Sequence, residues 1–207
     1  MSRAIRYVFI TVCLTAVALP AGLGNAYAQA IARARDPGLY ATFETSMGNF
    51  VVLLYEQKAP KTVENFVALA KGTKTWTDPT SGRKRQDPLY DGLKFYNITP
   101  RLSIRTGSPN NTDTGGPGFT ILDEITRDLT FDQPGRVAMF NTGPNTGGSQ
   151  LLITLRPARF LDGKFTIFGQ VVEGMEVVET ISQIAVDAQN RPVIDVTIRK
   201  VTIDRVK

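Results

Sequence analysis

The chain has 207 residues, no histidine, a single cysteine and a formal net charge of +5. Without histidine, Ser-His-Asp hydrolysis, His-ligated zinc and imidazole acid–base chemistry are all excluded. Apart from the single cysteine, any chemistry must therefore use carboxylates, amides, hydroxyls, lysine or arginine, and we expect neither a cofactor nor a bound metal.

The first 28 residues have the layout of a secretory signal peptide. Arg3 and Arg6 form a basic start, Val8–Leu19 is almost wholly apolar, and Ala26-Tyr27-Ala28 matches a small-x-small cleavage site. Cleavage there would remove Cys13 and lower the net charge to +3. We therefore expect a periplasmic or secreted protein with no stable membrane association. A thylakoid lumen is the less favoured location, and an uncleaved anchor or a buried N-terminal helix is the alternative for the segment itself.

Residues 29–38 are predicted to form a linker, and residues 39–207 are predicted to form one domain. The domain opens with two segments rich in β-branched and aromatic residues, Tyr40–Thr45 and Phe50–Tyr55. The glycine-containing turn between them predicts a hairpin. Pro60 suits the first position of a helix, and apolar residues then recur at helical spacing up to Gly72. This pattern predicts one amphipathic helix.

The stretch from Thr73 to Gly92 is polar and interrupted by proline and glycine, which predicts an irregular loop. Its basic cluster, Arg83–Arg85, lacks the additional cations and interleaved aromatic residues of a nucleic-acid surface. We therefore expect a solvated loop and no nucleic-acid partner. Trp76 in this loop is interpreted as a local packing anchor, with a partner surface as the alternative.

The second half of the domain contains six further strand-like segments and one more helical pattern. The segments are Leu93–Ile98, Leu102–Thr106, Val137–Asn141, Leu151–Leu155, Thr166–Val171 and Val193–Val206, and the helical pattern is Met175–Ile184. The turns are too short for parallel crossovers, so the strands must pair in antiparallel fashion. The sequence predicts a mainly β fold, a closed eight-stranded antiparallel barrel capped by two α-helices, because closure removes exposed strand edges.

Two segments near the middle of the domain, Gly143–Ile153 and Phe160–Gly169, predict an exposed loop that leads into a buried strand and a second strand after a tight turn. Together with four other segments, in this order and spacing, they resemble the cyclophilin-type peptidyl-prolyl isomerases over nearly the whole chain after residue 38. The other segments are Thr45–Phe50, Ala59–Phe66, Tyr90–Phe95 and Gly174–Val178. The resemblance implies the capped barrel and proline-containing polypeptides as partners.

The reaction of that family is rotation about the peptide bond that precedes proline, whose barrier is about 20 kcal/mol. No bond breaks, so neither a nucleophile nor a metal is required. An apolar pocket must grip the proline ring, and a donor must hydrogen-bond the prolyl nitrogen as it regains its lone pair. A guanidinium is well suited as a permanently charged donor.

The resemblance implies that the residues of the family's site are only partly retained in this chain. Asn97 occupies the position of the family's catalytic arginine, and the usual aromatic, Met and Gln of the floor become Leu102, Ser103 and Arg105. The upper wall is retained at Asn141 and Gln150. The remaining candidate substrate-binding residues are Phe140, Leu152, Phe160, Leu161 and Phe165. For Leu152 and Phe165, a place in the barrel core is the alternative interpretation.

Arg105 is the departure with the clearest chemical consequence. We hypothesise that its guanidinium lies near the vacated position and partly restores the donor that Asn97 cannot supply. The alternatives are a solvated cation without a role, or an ion pair with a carboxylate such as Glu124. Two functions therefore stay open, a monomeric exported prolyl isomerase of reduced activity that assists folding, and a non-catalytic module that binds proline-containing segments.

Overall fold

The computed structural model describes residues 35–207, so the predicted signal peptide and most of the predicted linker lie outside the described residues. Their boundaries stay predictions, although the first strand already begins at Gly38. The elements in chain order are β1 (Gly38–Thr45), β2 (Gly48–Leu54), α1 (Pro60–Ala70), β3 (Trp76–Thr77), β4 (Lys84–Arg85), β5 (Asn97–Thr99), β6 (Ser103–Thr106), β7 (Arg136–Met139), β8 (Leu151–Thr154), a short 3-10 helix (Arg159–Leu161), β9 (Thr166–Glu173), α2 (Met175–Ser182) and β10 (Ile198–Val206).

Eight of these strands form one antiparallel sheet in the order β10-β1-β2-β9-β7-β8-β6-β5. The two edges approach each other through the residues that precede β5 and β10. The Phe95 amide donates to the Val196 carbonyl at 3.0 Å, and the Ile198 amide donates to the Leu93 carbonyl at 2.8 Å. The predicted mainly β fold with two helices is confirmed, but the barrel is nearly and not fully closed, because a short bridge joins its edges in place of a continuous ladder.

The curved sheet has a packed cluster on each of its two faces because side chains alternate along every strand. The interior cluster contains Phe43, Phe66 and Phe168 together with the buried faces of both helices. A smaller cluster on the outer face contains Ala138, Leu152 and Ile167. This outer face carries most of the residues that the sequence singles out as a site.

Helix α1 begins as predicted at Pro60, but Ala59, the residue before it, has no side chain that can cap the helix. Glu124 supplies the cap from a distant loop. Its carboxylate accepts from the Lys61 amide at 3.0 Å and from both the amide and the hydroxyl of Thr62 at 2.7 Å. Glu124 therefore fastens its loop to the helix, which corrects its suggested role as a partner of Arg105.

The structure corrects three predicted segments. The strand predicted over Leu93–Ile98 is β5, Asn97–Thr99, so only the last two residues of the prediction lie in it. The stretch 73–92 is not wholly irregular, because β3 and β4 pair as a small hairpin, and Trp76 on β3 is only 4% exposed. The C-terminal strand begins at Ile198 and not at Val193, which is 62% exposed.

No helix within residues 35–207 combines the length and the apolar character that a membrane crossing requires.

Candidate active site on the outer face of the sheet

One row of residues crosses five adjacent strands on the outer face of the sheet. Asn97 pairs with Arg105, Arg105 with Leu152, Leu152 with Ala138, and Ala138 with Ile167. Because the partners in an antiparallel ladder lie side by side, the row places two polar residues next to an apolar surface. Such a row can hold a hydrogen-bond donor beside an apolar surface.

The guanidinium of Arg105 lies at one end of this row, where other side chains contact its edge and one of its faces. Nε donates to Oδ1 of Asn97 at 3.3 Å, and Nη2 lies 2.9 Å from Oδ1 of Asp113. The guanidinium carbon lies 4.4 Å from the centre of the Phe140 ring. The side chain is 16% exposed, so Arg105 is not a free surface cation, and its carboxylate partner is Asp113 instead of Glu124.

Asn97 itself is 4% exposed, and its carbonyl oxygen is the acceptor for Arg105. A neutral amide can tolerate a guanidinium beside it, whereas an arginine at position 97 would place two like charges together. The local effect of Asn97 is therefore to orient Arg105.

Gln150 is committed to the loop 107–118, which we call the Asp113 loop. Its amide nitrogen donates to the carbonyl of Asp113 at 3.1 Å and also to the carbonyl of Gly115. Its amide oxygen accepts from the hydroxyl of Tyr96. Burial raises the pKa of Tyr96, so the phenol stays protonated and remains a donor. The role of Gln150 toward substrate stays a prediction, while its side chain fastens this loop.

Asn141 lies at the edge of the same surface and joins two further loops. Its amide nitrogen donates to Asp123 at 3.1 Å and to the Lys164 carbonyl at 3.0 Å. Phe140 and Asn141 also separate two cavities, one of about 560 Å³ next to Gln150 and one of about 640 Å³ next to Phe165. These two residues therefore form a wall with a depression on either side.

Five of the predicted apolar residues pack together in the outer cluster, which we call the cup, and two of them, Phe140 and Phe165, line the second cavity. The five are Leu102, Phe140, Leu152, Leu161 and Phe165. Leu152 is its most buried member at 5% exposed, and the rings of Phe140 and Phe165 are stacked with centroids 5.5 Å apart. Ser103 is buried on β6, in the strand that also carries Arg105. Phe160, by contrast, is 58% exposed and presents most of its ring to solvent.

The structure adds two functional candidates, Asp113 and Tyr96, that the sequence patterns do not single out. Tyr96 is adjacent to Asn97, and a tyrosine at that place can hydrogen-bond within the site. Asp113 is the sole acidic residue in a loop of Gly, Pro, Asn, Ser and Thr that follows the strand of Arg105. A lone carboxylate so close in sequence to Arg105 is the signal that could have found it. Within the described part of the chain, no group of three or more acidic, His or Cys side chains is placed to hold a metal ion.

Comparisons with known proteins agree with this geometry. The family model described as "Cyclophilin type peptidyl-prolyl cis-trans isomerase/CLD" matches residues 40–203. Peptidyl-prolyl cis-trans isomerase B of Streptomyces anulatus is 42% identical over 169 residues, which cover 80% of this chain and 97% of that protein. Peptidyl-prolyl cis-trans isomerase A of Mycobacterium tuberculosis is 41% identical over 165 residues, which cover 79% and 91%.

The crystal structure of a cyclophilin type peptidyl-prolyl cis-trans isomerase from Cryptosporidium parvum has the same fold. It superposes with a TM-score of 0.69 at 28% identity, covering 80% of this chain and 96% of the other. The matches span almost the whole of each relative, and the family model spans both the outer row and the cup. The chain therefore belongs to the cyclophilin-type peptidyl-prolyl cis-trans isomerase family.

Proposed function

We propose that this protein is an exported peptidyl-prolyl cis–trans isomerase in which Arg105 replaces the missing arginine at position 97. The observation that carries the proposal is the position of the Arg105 guanidinium, paired with Asn97 and stacked on Phe140 at the rim of the apolar cup. A charged donor and a proline-sized apolar surface are the two parts that this rotation needs.

The cup would receive the proline ring, and Arg105 would donate to the prolyl nitrogen as the preceding carbonyl turns out of the amide plane. This hydrogen bond favours the twisted state over the planar one, because the nitrogen lone pair is available only when conjugation is broken. The Cryptosporidium parvum relative was also crystallised in the presence of the dipeptide Ala-Pro. That supports proline-containing polypeptides as the substrate class.

We expect the rate to be lower than that of a site with an arginine at position 97. Losing a preorganised charged donor outright costs about 2.7–4 kcal/mol in the barrier. Arg105 starts from the neighbouring strand and shares its guanidinium with Asp113, so it would restore part of that stabilisation. The predicted signal peptide supports exported proteins as clients and a periplasmic or secreted location, with the protein acting as a monomer.

A protease-coupled assay with a proline-containing peptide tests the proposal on the processed chain. We expect measurable catalysis in the wild type, a loss of about tenfold or more in kcat/KM for Arg105→Ala, and partial activity for Arg105→Lys, which keeps the charge but not the planar fork. Wild-type activity in Arg105→Ala would refute the role of Arg105.

A non-catalytic binding module is the second candidate, and one observation favours it. The amide oxygen of Asn97 and both polar atoms of Gln150 are engaged by the chain's own side chains and backbone, which leaves fewer groups to act on a twisted peptide bond. Background isomerisation combined with measurable binding of the same peptide would support this candidate against the enzyme.

A further inference from the structure

We propose that Asp113 is a positioning residue for Arg105, and that the Asp113 loop belongs to the isomerase machinery. The inference rests on the proposed function, since it requires Arg105 to be the donor. It assigns a role to a residue that does not touch the substrate, and it explains the polar contacts of Gln150 as support for the Asp113 loop.

The contacts of Arg105 restrict the guanidinium in three different directions. Asn97 engages Nε at 3.3 Å, Asp113 engages Nη2 at 2.9 Å, and the Phe140 ring covers one face at 4.4 Å. Two contacts on the edge and one on the face define both the plane of the group and its rotation within that plane. A guanidinium carries five N–H donors, so engaging two of them leaves donors for a substrate.

The backbone that carries Asp113 is itself held in place. Its carbonyl accepts from the Gln150 amide at 3.1 Å, and Gln150 is in turn bonded by the Tyr96 hydroxyl. At the start of the loop, the hydroxyl of Ser149 donates to the Gly107 carbonyl at 2.7 Å. The carboxylate is therefore presented to Arg105 from a fixed support and not from a free loop.

The different exposures of Asp113 and Arg105 indicate that their ion pair acts on the position of Arg105 more than on the stability of the fold. The Asp113 side chain is 55% exposed, against 16% for Arg105, and ion pairs with one solvated partner contribute little to folding. The reaction rate is more sensitive to the pair than folding is, because small misplacements of a catalytic group lower rates strongly. Removing the Asp113 carboxylate should therefore lower turnover while leaving the folded state intact.

The test compares the wild type with Asp113→Asn, Asp113→Glu, Arg105→Ala and the double variant that combines Asp113→Asn with Arg105→Ala. Glu56→Gln is the matched control, because Glu56 also pairs with an arginine, Arg205, at 2.6 Å, but near the ends of β2 and β10. We measure kcat and KM with a proline-containing peptide, and the Nε–Hε resonance of Arg105 by NMR. Unfolding is followed by the fluorescence of Trp76, the single tryptophan.

We expect Asp113→Asn to lower kcat about fivefold with KM within about twofold, an effect of the size that misplacement of a catalytic group produces. Its unfolding midpoint should match that of Glu56→Gln, its Arg105 Nε–Hε resonance should shift, and Asp113→Glu should recover part of the loss. In the Arg105→Ala background, Asp113→Asn should have no further effect.

An unchanged or raised kcat in Asp113→Asn, with Arg105→Ala still impaired, would overturn the positioning role and leave Arg105 as the donor. The same loss in the Arg105→Ala background would overturn it as well, because Asp113 would then act on something other than Arg105. Wild-type activity in Arg105→Ala would instead refute the proposed function, and the positioning role with it.

Discussion

Arg105 and Asn97 are direct partners across β5 and β6, with Nε of the arginine 3.3 Å from Oδ1 of the asparagine. The two positions are therefore coupled. A neutral acceptor at position 97 suits a guanidinium at position 105, and an arginine at position 97 would instead suit a neutral amide at position 105.

This coupling predicts that Asn97→Arg and Arg105→Gln act together. The double variant should raise kcat/KM about tenfold or more above the wild type, because it returns the charged donor to position 97 beside a neutral amide. Asn97→Arg alone should gain less, since it forces two guanidinium groups together. Isomerase kinetics on the four proteins of this double-mutant cycle measure the coupling. Additive effects of the two single changes would show that the positions are independent.

Gly107 should be the most sensitive glycine of the site. Its φ is +83°, and a Cβ at this residue would lie 2.3 Å from the Ser149 carbonyl oxygen. We expect Gly107→Ala to lower the free energy of unfolding by about 2–3 kcal/mol. Gly82→Ala is the control, since Gly82 has a φ of +68° but no atom within 4 Å of the place that a Cβ would take, so only the conformational cost of about 1 kcal/mol applies. Equal losses in urea unfolding of the two variants would contradict the close contact at Gly107.

The cap that Glu124 provides to helix α1 can be removed on its own. Glu124→Ala should lower the free energy of unfolding by about 1–2 kcal/mol, because the amides of Lys61 and Thr62 lose their acceptor. Glu64→Ala is the matched control, since Glu64 is 72% exposed and makes only a 3.4 Å pair with Lys61. That control should stay within about 0.5 kcal/mol of the wild type. A Glu124→Ala protein as stable as the control would show that the cap contributes nothing.

Low pH should lower the free energy of unfolding through protonation of Asp132. Hydrogen bonds from the Arg136 guanidinium, 2.7 Å away at Nη2, hold the pKa of Asp132 below its usual range. A depressed folded-state pKa means that the stabilisation is complete above the unfolded-state pKa, about 3.9, and is lost as pH falls through the folded-state value. The difference in stability between the wild type and Asp132→Asn should therefore be constant from about pH 7 to 5 and shrink below about pH 4. Urea unfolding across this range measures it, and a difference that does not change with pH would refute the assignment.

The repeating parts of the fold could be predicted from the sequence because they follow from local patterns. Alternation and a glycine-containing turn identify the β1–β2 hairpin, and helical spacing after Pro60 identifies α1. Antiparallel neighbours also follow from alternation and short turns, and the family resemblance implies that Asn97 and Arg105 lie on adjacent strands. The observed register pairs them directly.

Contacts made by loops could not be predicted in the same way. Glu124 is a plausible partner for Arg105 by charge alone, but it lies against residues more than sixty positions away at the start of α1. The support of Asp113 escapes prediction, because it comes from the side chain of Gln150, which is distant in sequence. No periodicity records such contacts, since they depend on how the loops fold over the outer face of the sheet. Phe160 is expected in the site because it matches the family's Trp or Phe position; its ring is largely exposed, and its role toward substrate stays a prediction.

The most direct test of the central claim is kcat/KM for cis–trans exchange of an Ala-Pro peptide, compared between the wild type and Arg105→Ala by NMR exchange spectroscopy. If Arg105 is the donor, the wild type accelerates exchange measurably and Arg105→Ala loses about tenfold or more of that acceleration, while its affinity for the peptide changes much less. Equal acceleration by the two proteins would contradict the account.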